Sequence, residues 1–503
     1  MRKCKNPFHL YNHCALNFTN MTLNDLTTVL PFLIMVIGGI AVLLIDLAIP
    51  ADKKQNTGWL AVLVTLLAGI SAIALWANPP ANSFYDMVRG DGFAYFIDAL
   101  LAGIGVVTLL LTLRYNEARG ILRGEFYALM LFSLAGMMLM GHAMNLIVVF
   151  VAVELLSIPL YVLCGIARPR LDSEESAMKY FLMGAFASGF LVYGIALVYG
   201  ATGTVSIAEV QSILSATTSN YDPTLLFAGA ALILVGLGFK VAAAPFHMWT
   251  PDVYEGAPTT VTAFMATATK VAGFAALLRV FMFGFAPLVV QWQPIMALIA
   301  ALTMILGNVT ALLQNNIKRM LAYSSIAHAG YVLVGISAGN EAGATSVLFY
   351  LASYAFTTLA AFAVIAAVGS GKEEDQSIDA YAGLSRRKPL LALVMAIAMF
   401  SLIGIPPTAG FFGKYFLIGA AISANLTWLA VVMMLTSVVS AFFYLRVVVT
   451  MYMREPQTEG EAIASNMPRA LAAAISTAAV LVFGLLSTPL LNMIAIGLQT
   501  AVR

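Results

Sequence analysis

Runs of about twenty apolar residues, each long enough to cross the roughly 30 Å hydrocarbon core of a bilayer as a helix, recur fourteen times along this chain. They fall at roughly 28–49, 58–77, 92–113, 126–141, 145–167, 177–200, 225–248, 259–284, 290–313, 319–338, 344–369, 389–420, 425–452 and 470–496. Backbone N–H and C=O groups find no water in hydrocarbon, so a chain with this pattern must satisfy them internally, as helix. The expected fold is therefore an all-α polytopic membrane protein with about 14 transmembrane helices. Composition agrees, since 10% of the residues are charged against about 25% in soluble domains.

The same composition narrows function. A net charge of +2 over 503 residues offers no basic surface for nucleic acid, and no Gly-rich phosphate loop follows a strand. Cys4, Cys14 and Cys164 form neither a CxxC nor a Cys/His cluster, so no metal, iron–sulfur centre or disulfide framework is expected. Any redox cofactor would sit on a partner.

Lys and Arg between the spans set the orientation. One set of loops carries fifteen, among them Lys53, Arg119, Arg170, Arg319, Arg387 and Arg454, while the opposite loops and the C-terminus carry only Arg89 and Arg503. Both termini are expected on the periplasmic side of a bacterial inner membrane. Arg2, Lys3 and Lys5 fall on the wrong side for this bias, and the first twenty residues lack the apolar core and cleavage site of a secretory signal. Residues 1–20 are thus expected to be a non-native or disordered extension, with Met21 the natural start.

Charges inside the spans carry the chemical signal. A lysine at the centre of a spanning helix costs about 2.5–3.5 kcal/mol on insertion scales, so one retained there points to function. Six basic residues lie within spans: Lys179, Lys240, Lys270, Arg279, Lys414 and Arg446. Glu154, in "VFVAVELLSIPLYVLCG", is the clear acid at depth. Arg279 and Arg446 lie toward span ends, where a long cation snorkels or pairs structurally, and Lys179 stands near the start of its span. Lys240 precedes Pro245 in "GFKVAAAPFHMWTPDVYEGAP", and Lys414 follows Pro406 and Pro407 in "IGIPPTAGFFGK". Helices interrupted at membrane depth are tolerated where protein or cavity water satisfies the freed backbone.

Two such segments lie five spans apart. "FKVAAAP" and "FSLIGIP" share a Phe-to-Pro spacing, and "SAMKYFLMGAFASG" resembles "SVLFYLASYAFTTL" at the same odd offset. The expectation is a pair of inverted repeats, 126–284 (spans 4–8) and 290–452 (spans 9–13), with spans 1–3 (residues 21–120) and span 14 packed outside them. Polar residues inside the spans, including Ser157, Thr267, Thr269, Tyr323, Ser324, Ser325 and His328, could hold water between charged stations, although most such hydroxyls bond nearby carbonyls.

"GLGFKVAAAPFHMWTPDVYEGAPTTVTAFMATATKVAGF", with "VELLSIPLYVL" before it and "NNIKRMLAYSSIAHAGYVLVG" after, resembles the antiporter-like subunits of the proton-pumping NADH:quinone oxidoreductase, respiratory complex I. The resemblance runs over nearly the whole chain from Met21 and is closest to the subunit N family. It implies proton translocation through a relay in which Glu154 pairs with Lys240, Lys270 connects two half-channels and Lys414 exchanges protons with the far side. His247 matches the family histidine after the break, and Lys179 and His328 are secondary candidates. NADH, FMN, iron–sulfur clusters and quinone would be held by partner subunits, and other antiporter-like membrane subunits would be neighbours. The rival readings are a subunit of a multisubunit sodium/proton antiporter and a passive membrane scaffold.

Overall fold

The computed structural model describes residues 22–50, 53–77, 79, 81–216, 221–369, 375–455 and 466–502, so the expected N-terminal extension lies outside the described residues. After a short lead-in, α1 (Leu23–Thr28), come α2 (Leu30–Ala48) and α3 (Gln55–Trp76). A two-stranded hairpin follows, β1 (Ala81–Ser83) antiparallel to β2 (Val88–Gly90). Then come α4 (Gly92–Ala118), α5 (Gly124–His142), α6 (Leu146–Cys164), α7 (Leu171–Thr202), the short α8 (Ile207–Ser215), α9 (Pro223–Val241) and α10 (Trp249–Gly256). Next are α11 (Thr259–Leu277), continued by a π-helical stretch at Leu278–Gly284, then α12 (Val289–Leu312), α13 (Ile317–Ser337) and α14 (Glu341–Val368). The chain closes with α15 (Leu384–Arg387), α16 (Pro389–Ile403), α17 (Ala409–Ser423), α18 (Thr427–Met453), α19 (Met467–Leu485) and α20 (Ser487–Val502).

Among the described residues, 13 helices are long and apolar enough to cross a membrane. The shorter pair α16 and α17 supplies the remaining expected span as two halves. The largest differences from the sequence reading fall at three spans. The sixth span begins at Leu171, where Asp172 and Glu174 in the first turn complement the helix dipole. The seventh stops at Val241. The last divides at Leu486, and α20 packs separately against α4 and α14.

Helix starts are set by side-chain caps. Asp91, Asn145, Ser206, Asp222, Asn316 and Asn340 each accept a backbone N–H from the first turn of the helix they open. Two of these caps belong to matching clasps. Asn145 bridges Ser206 as Asn316 bridges Ser377, and both are flanked by paired backbone bonds: Leu146 N–H to Val205 O with Ile207 N–H to Met144 O, and Ile317 N–H to Gln376 O with Ile378 N–H to Asn315 O.

Burial grades the bundle. In the most apolar windows of α11, α13 and α14, 100%, 94% and 94% of residues are buried, against 33% in α2, α7 and α19. The centre is therefore built from α11, α13 and α14, the helices that carry Lys270, His328 and Tyr350.

Candidate functional site

Both interrupted helices end in the same way. At the first break the Ala243 N–H bonds Gly238 O at 2.8 Å and the Ala242 N–H bonds Phe239 O at 3.1 Å, with Ala242 left-handed at φ 60°. At the second, the Ile405 N–H bonds Phe400 O at 3.0 Å and the Gly404 N–H bonds Ser401 O at 3.1 Å, with Gly404 at φ 92°. This is the paired closure that satisfies helix C-terminal carbonyls around a left-handed residue. Gly238 thus corresponds to Phe400 and Phe239 to Ser401. The Phe-to-Pro alignment of the two segments was out by one residue, because backbone closure, not the phenylalanine, sets the register.

Four residues closed in this way still leave helix-end carbonyls, and lysines fill them. Lys270 Nζ, from α11, donates to Val241 O at 2.8 Å, the last carbonyl of α9. Lys414 Nζ, from α17, donates to Leu402 O at 3.0 Å and Ile403 O at 2.9 Å, the last two of α16. Both side chains are buried. A cation on the carbonyl end of a helix meets both unsatisfied acceptors and the negative end of the dipole. Lys414 also lies 4.8 Å over the Tyr331 ring. Gly404 must be small as well as left-handed, since a Cβ there would stand 3.2 Å from Lys414 Cδ.

Lys240 is different. Its ammonium, equally buried, meets two hydroxyls, Ser157 Oγ at 2.7 Å and Tyr180 OH at 3.1 Å. A carbonyl only accepts, whereas a hydroxyl both accepts and donates. Ser157 gives its own proton to the Val153 carbonyl and so accepts from the ammonium, whereas Tyr180 keeps a proton that it can donate to the lone pair of a neutral amine. Glu154 and Lys240 form no direct ion pair: Glu154 accepts a short hydrogen bond from Ser188 Oγ, and Ser157, one turn along α6 from Glu154, receives the lysine. The expected pair is linked through α6 and its serine, not by contact.

The other candidates fall into place around this frame. His328 is buried between two tyrosine hydroxyls, Tyr350 OH at 2.6 Å from Nδ1 and Tyr444 OH at 3.0 Å from Nε2, and Tyr444 is bonded in turn to Ser324. His247 is half-buried in the break, beside the exposed Met248, and no bond joins it to Lys240. Thr267 and Thr269 bond the carbonyls of Ala263 and Met265 in their own helix. Lys179 is drawn to the surface, bridging Glu175 at 2.8 Å and Asp252 at 2.7 Å.

Arg279 does not snorkel. It is wholly buried on the π-helical stretch, pairs with Asp91 at 2.8 Å, donates twice to Gly141 O and lies 4.5 Å over the Phe93 ring. Sequence reasoning passed over Asp91 and two further groups beside it, Asp98 and His142, which meet at 2.8 Å with both side chains fully buried. His142 Nδ1 faces the Arg89 carbonyl, so that nitrogen must donate and one proton is shared between Nε2 and Asp98. Lys318, one residue before the tenth span as the sequence delimits it, is also buried and caps Ala257 O at 2.8 Å. The Asn316 cap places it on the first turn of α13, which was the available clue. Arg446 caps Gln314 O beyond the end of α12.

Interrupted helices that carry buried lysines define a class of ion-translocating membrane subunits, and comparison with known proteins agrees. The family described as NADH:quinone oxidoreductase/Mrp antiporter, transmembrane, matches residues 143–440. An NADH-quinone oxidoreductase subunit N from Trichlorobacter lovleyi is 44% identical over 93% of this chain and 96% of its own length. A chain of respiratory complex I from Thermus thermophilus superposes with a TM-score of 0.79 at 36% identity, covering 93% of this chain and 100% of that one. A chain of the Mrp complex from Dietzia sp. shares the fold, with a TM-score of 0.80 at 21% identity over 96% of this chain and 98% of its own. The chain belongs to the NADH:quinone oxidoreductase/Mrp antiporter family, and within it to the subunit N proteins.

Proposed function

We propose that this chain is a proton-translocating membrane subunit of an NADH:quinone oxidoreductase, moving protons through buried Glu and Lys groups while quinone is reduced elsewhere in the complex. The observation that carries the reading is Lys240, a buried amine in an interrupted helix held by two hydroxyls, of which Tyr180 can meet either of its protonation states. Glu154 lies one turn from Ser157 and biases that site electrostatically. Lys270 and Lys414 continue the route at the two helix breaks, with His328 and its tyrosines between α13, α14 and α18. Residues 126–284 and 290–452 act as inverted repeats, a reading supported by the matched clasps and matched breaks. Spans 1–3 and span 14 flank them, and both termini lie on the periplasmic side of a bacterial inner membrane, as the loop charges favour. NADH, FMN, iron–sulfur clusters and quinone belong to partner subunits. A sodium/proton antiporter role has the shared family and the fold in its favour, the latter at 21% identity.

The test is Lys240→Arg in the intact complex, reconstituted in vesicles, with acidification measured per quinone reduced. Arginine keeps the charge but holds its proton too tightly to release it, so the complex should assemble and pump poorly. Wild-type stoichiometry would show that position 240 needs only a charge, and unimpaired pumping by assembled Lys240→Ala would leave the chain a scaffold.

A further inference from the structure

Above Lys240, on the side of the basic loops, lies a charged funnel of about 420 Å³ lined by Glu175, Lys179, Asp252, Glu255 and Arg319 among others. Asp252 is its hub. One carboxylate oxygen accepts from Lys179 at 2.7 Å and the other from Arg319 at 2.9 Å, while Arg319 also reaches Glu255 at 2.7 Å. Asp252 and Glu255 both belong to α10, the short helix beyond the first break. Ion pairs from α7 and α13 therefore clamp α10 from two sides.

The buried end of α10 touches the lysine's own partner. Trp249 stacks on Tyr180 at 4.7 Å between ring centroids and 17° between planes, and its Nε1–H donates to Phe239 O at 3.1 Å. Phe239 is the residue before Lys240. Tyr180, the next residue after Lys179, supplies one of the two hydroxyls on Lys240 and lies with its ring 5.3 Å below the ammonium. Both ends of the contact thus meet twice: Lys179 and Tyr180 from α7, Asp252 and Trp249 from α10.

We propose that α10 is a rigid lever through which the ion pairs of the funnel set the geometry of the Lys240 site, with Asp252 its outer handle and Trp249 and Tyr180 its positioning residues. This rests on Lys240 being a relay group. Loss of the clamp lets α10 shift, the Trp249–Tyr180 stack loosens, and a hydroxyl is withdrawn from the ammonium, which favours the neutral amine. The groups facing Lys240 are Ser157 and Glu154 on α6 and Tyr180 on α7, with Cys164 and Tyr161 nearby. Burial would raise the Asp252 carboxyl, but the hydrogen bonds from Lys179 and Arg319 outweigh it and hold it below its ordinary 3.8. The clamp is therefore charged throughout the neutral range and is lost only as pH falls through that depressed value. Salt, which screens such partly exposed pairs, is what loosens it near neutrality.

The experiment uses the intact complex in vesicles, comparing proton pumping per quinone reduced, across neutral to alkaline pH, for wild type, Asp252→Asn, Trp249→Phe and Tyr180→Phe. Each variant should move the alkaline limb of the profile to lower pH by about half a unit, a roughly threefold change in the charged fraction. High salt should shift wild type in the same direction and leave Asp252→Asn nearly unmoved. Trp249→Phe loses the bond to Phe239 O and part of the stack, and Tyr180→Phe loses the hydroxyl on Lys240, yet both fill the site, so they report even if Asp252→Asn assembles badly. Unchanged profiles in Trp249→Phe and Tyr180→Phe, or a loss of assembled complex with a wild-type profile, would overturn the lever. Normal pumping by Lys240→Arg would instead sink the relay on which it rests.

Discussion

The first and second helix breaks share a backbone but not a charge plan. Each ends on a left-handed residue closed by the same pair of hydrogen bonds. At the second, the lysine that follows the break turns back to cap its own preceding half-helix, Lys414 onto Leu402 and Ile403. At the first, the cap comes from a neighbour, Lys270 of α11 onto Val241, and the break's own lysine faces hydroxyls. A buried cation at a helix end is thus not by itself evidence of proton traffic, since capping explains Lys270, Lys318, Lys414 and Arg446 in structural terms as well. Lys240 has no such explanation, and that difference isolates it.

The largest effect that could break this contrast is removal of Lys240 itself or of the acid one turn from its serine. Lys240→Ala and Glu154→Ala should each cut pumping per quinone reduced by about tenfold or more with the complex assembled, since one removes the proposed proton carrier and the other the charge that biases it. Next, Lys414→Ala should also stop pumping but should in addition expose its break, because the carbonyls of Leu402 and Ile403 lose their donor. Hydrogen exchange around residues 400–410 should then accelerate by about fivefold or more, while Lys240→Ala leaves exchange at 238–248 near wild type. Equal acceleration at both breaks would erase the distinction.

Smaller effects test the left-handed residues. Gly404→Ala should destabilise the protein by about 1–2 kcal/mol through backbone strain and contact with Lys414, and Ala242→Gly should be neutral or stabilise by up to about 1 kcal/mol, read as shifts in thermal unfolding. Smallest of all is Pro245→Ala. Since α9 already ends at Val241 and turns at Ala242, this substitution should leave the break open and change pumping less than about twofold. A continuous helix in that variant would show that the proline, not the left-handed alanine, makes the break.

Much of the architecture was legible because hydrocarbon leaves so few options. Among the described residues the fourteen apolar runs reappear as 13 helices long and apolar enough to cross a membrane and one divided pair, and Lys240, Lys270 and Lys414 stood out because nothing in an apolar run excuses a lysine. What stayed hidden depended on contacts between runs. Asp98 is an acid inside the third span and so was itself a signal, but His142 at the last residue of α5 was not, and only packing makes them a buried pair. The role of Trp249 was equally unreadable, because an aromatic residue in "HMWTPDVY" packs in most settings and only its stacking on Tyr180 ties it to a lysine. The offset of one residue between the two breaks was hidden by the adjacent prolines at 406 and 407, either of which satisfies a sequence alignment.

The complete burial of α11 bears on how the chain is made. Its mean hydropathy of 1.5, and the 1.3 of α13, are among the lowest of the crossing helices, against 2.6 for α2 and α6. The segments least able to partition into lipid alone are those that the finished bundle screens from lipid on every side. A nascent α11 leaving the translocon with Lys270 unpaired faces an insertion cost of about 2.5–3.5 kcal/mol for that residue, until Val241 is there to receive it. The broken helix made just before it already offers the carbonyl that receives Lys270, so the order of synthesis supplies the acceptor before the donor.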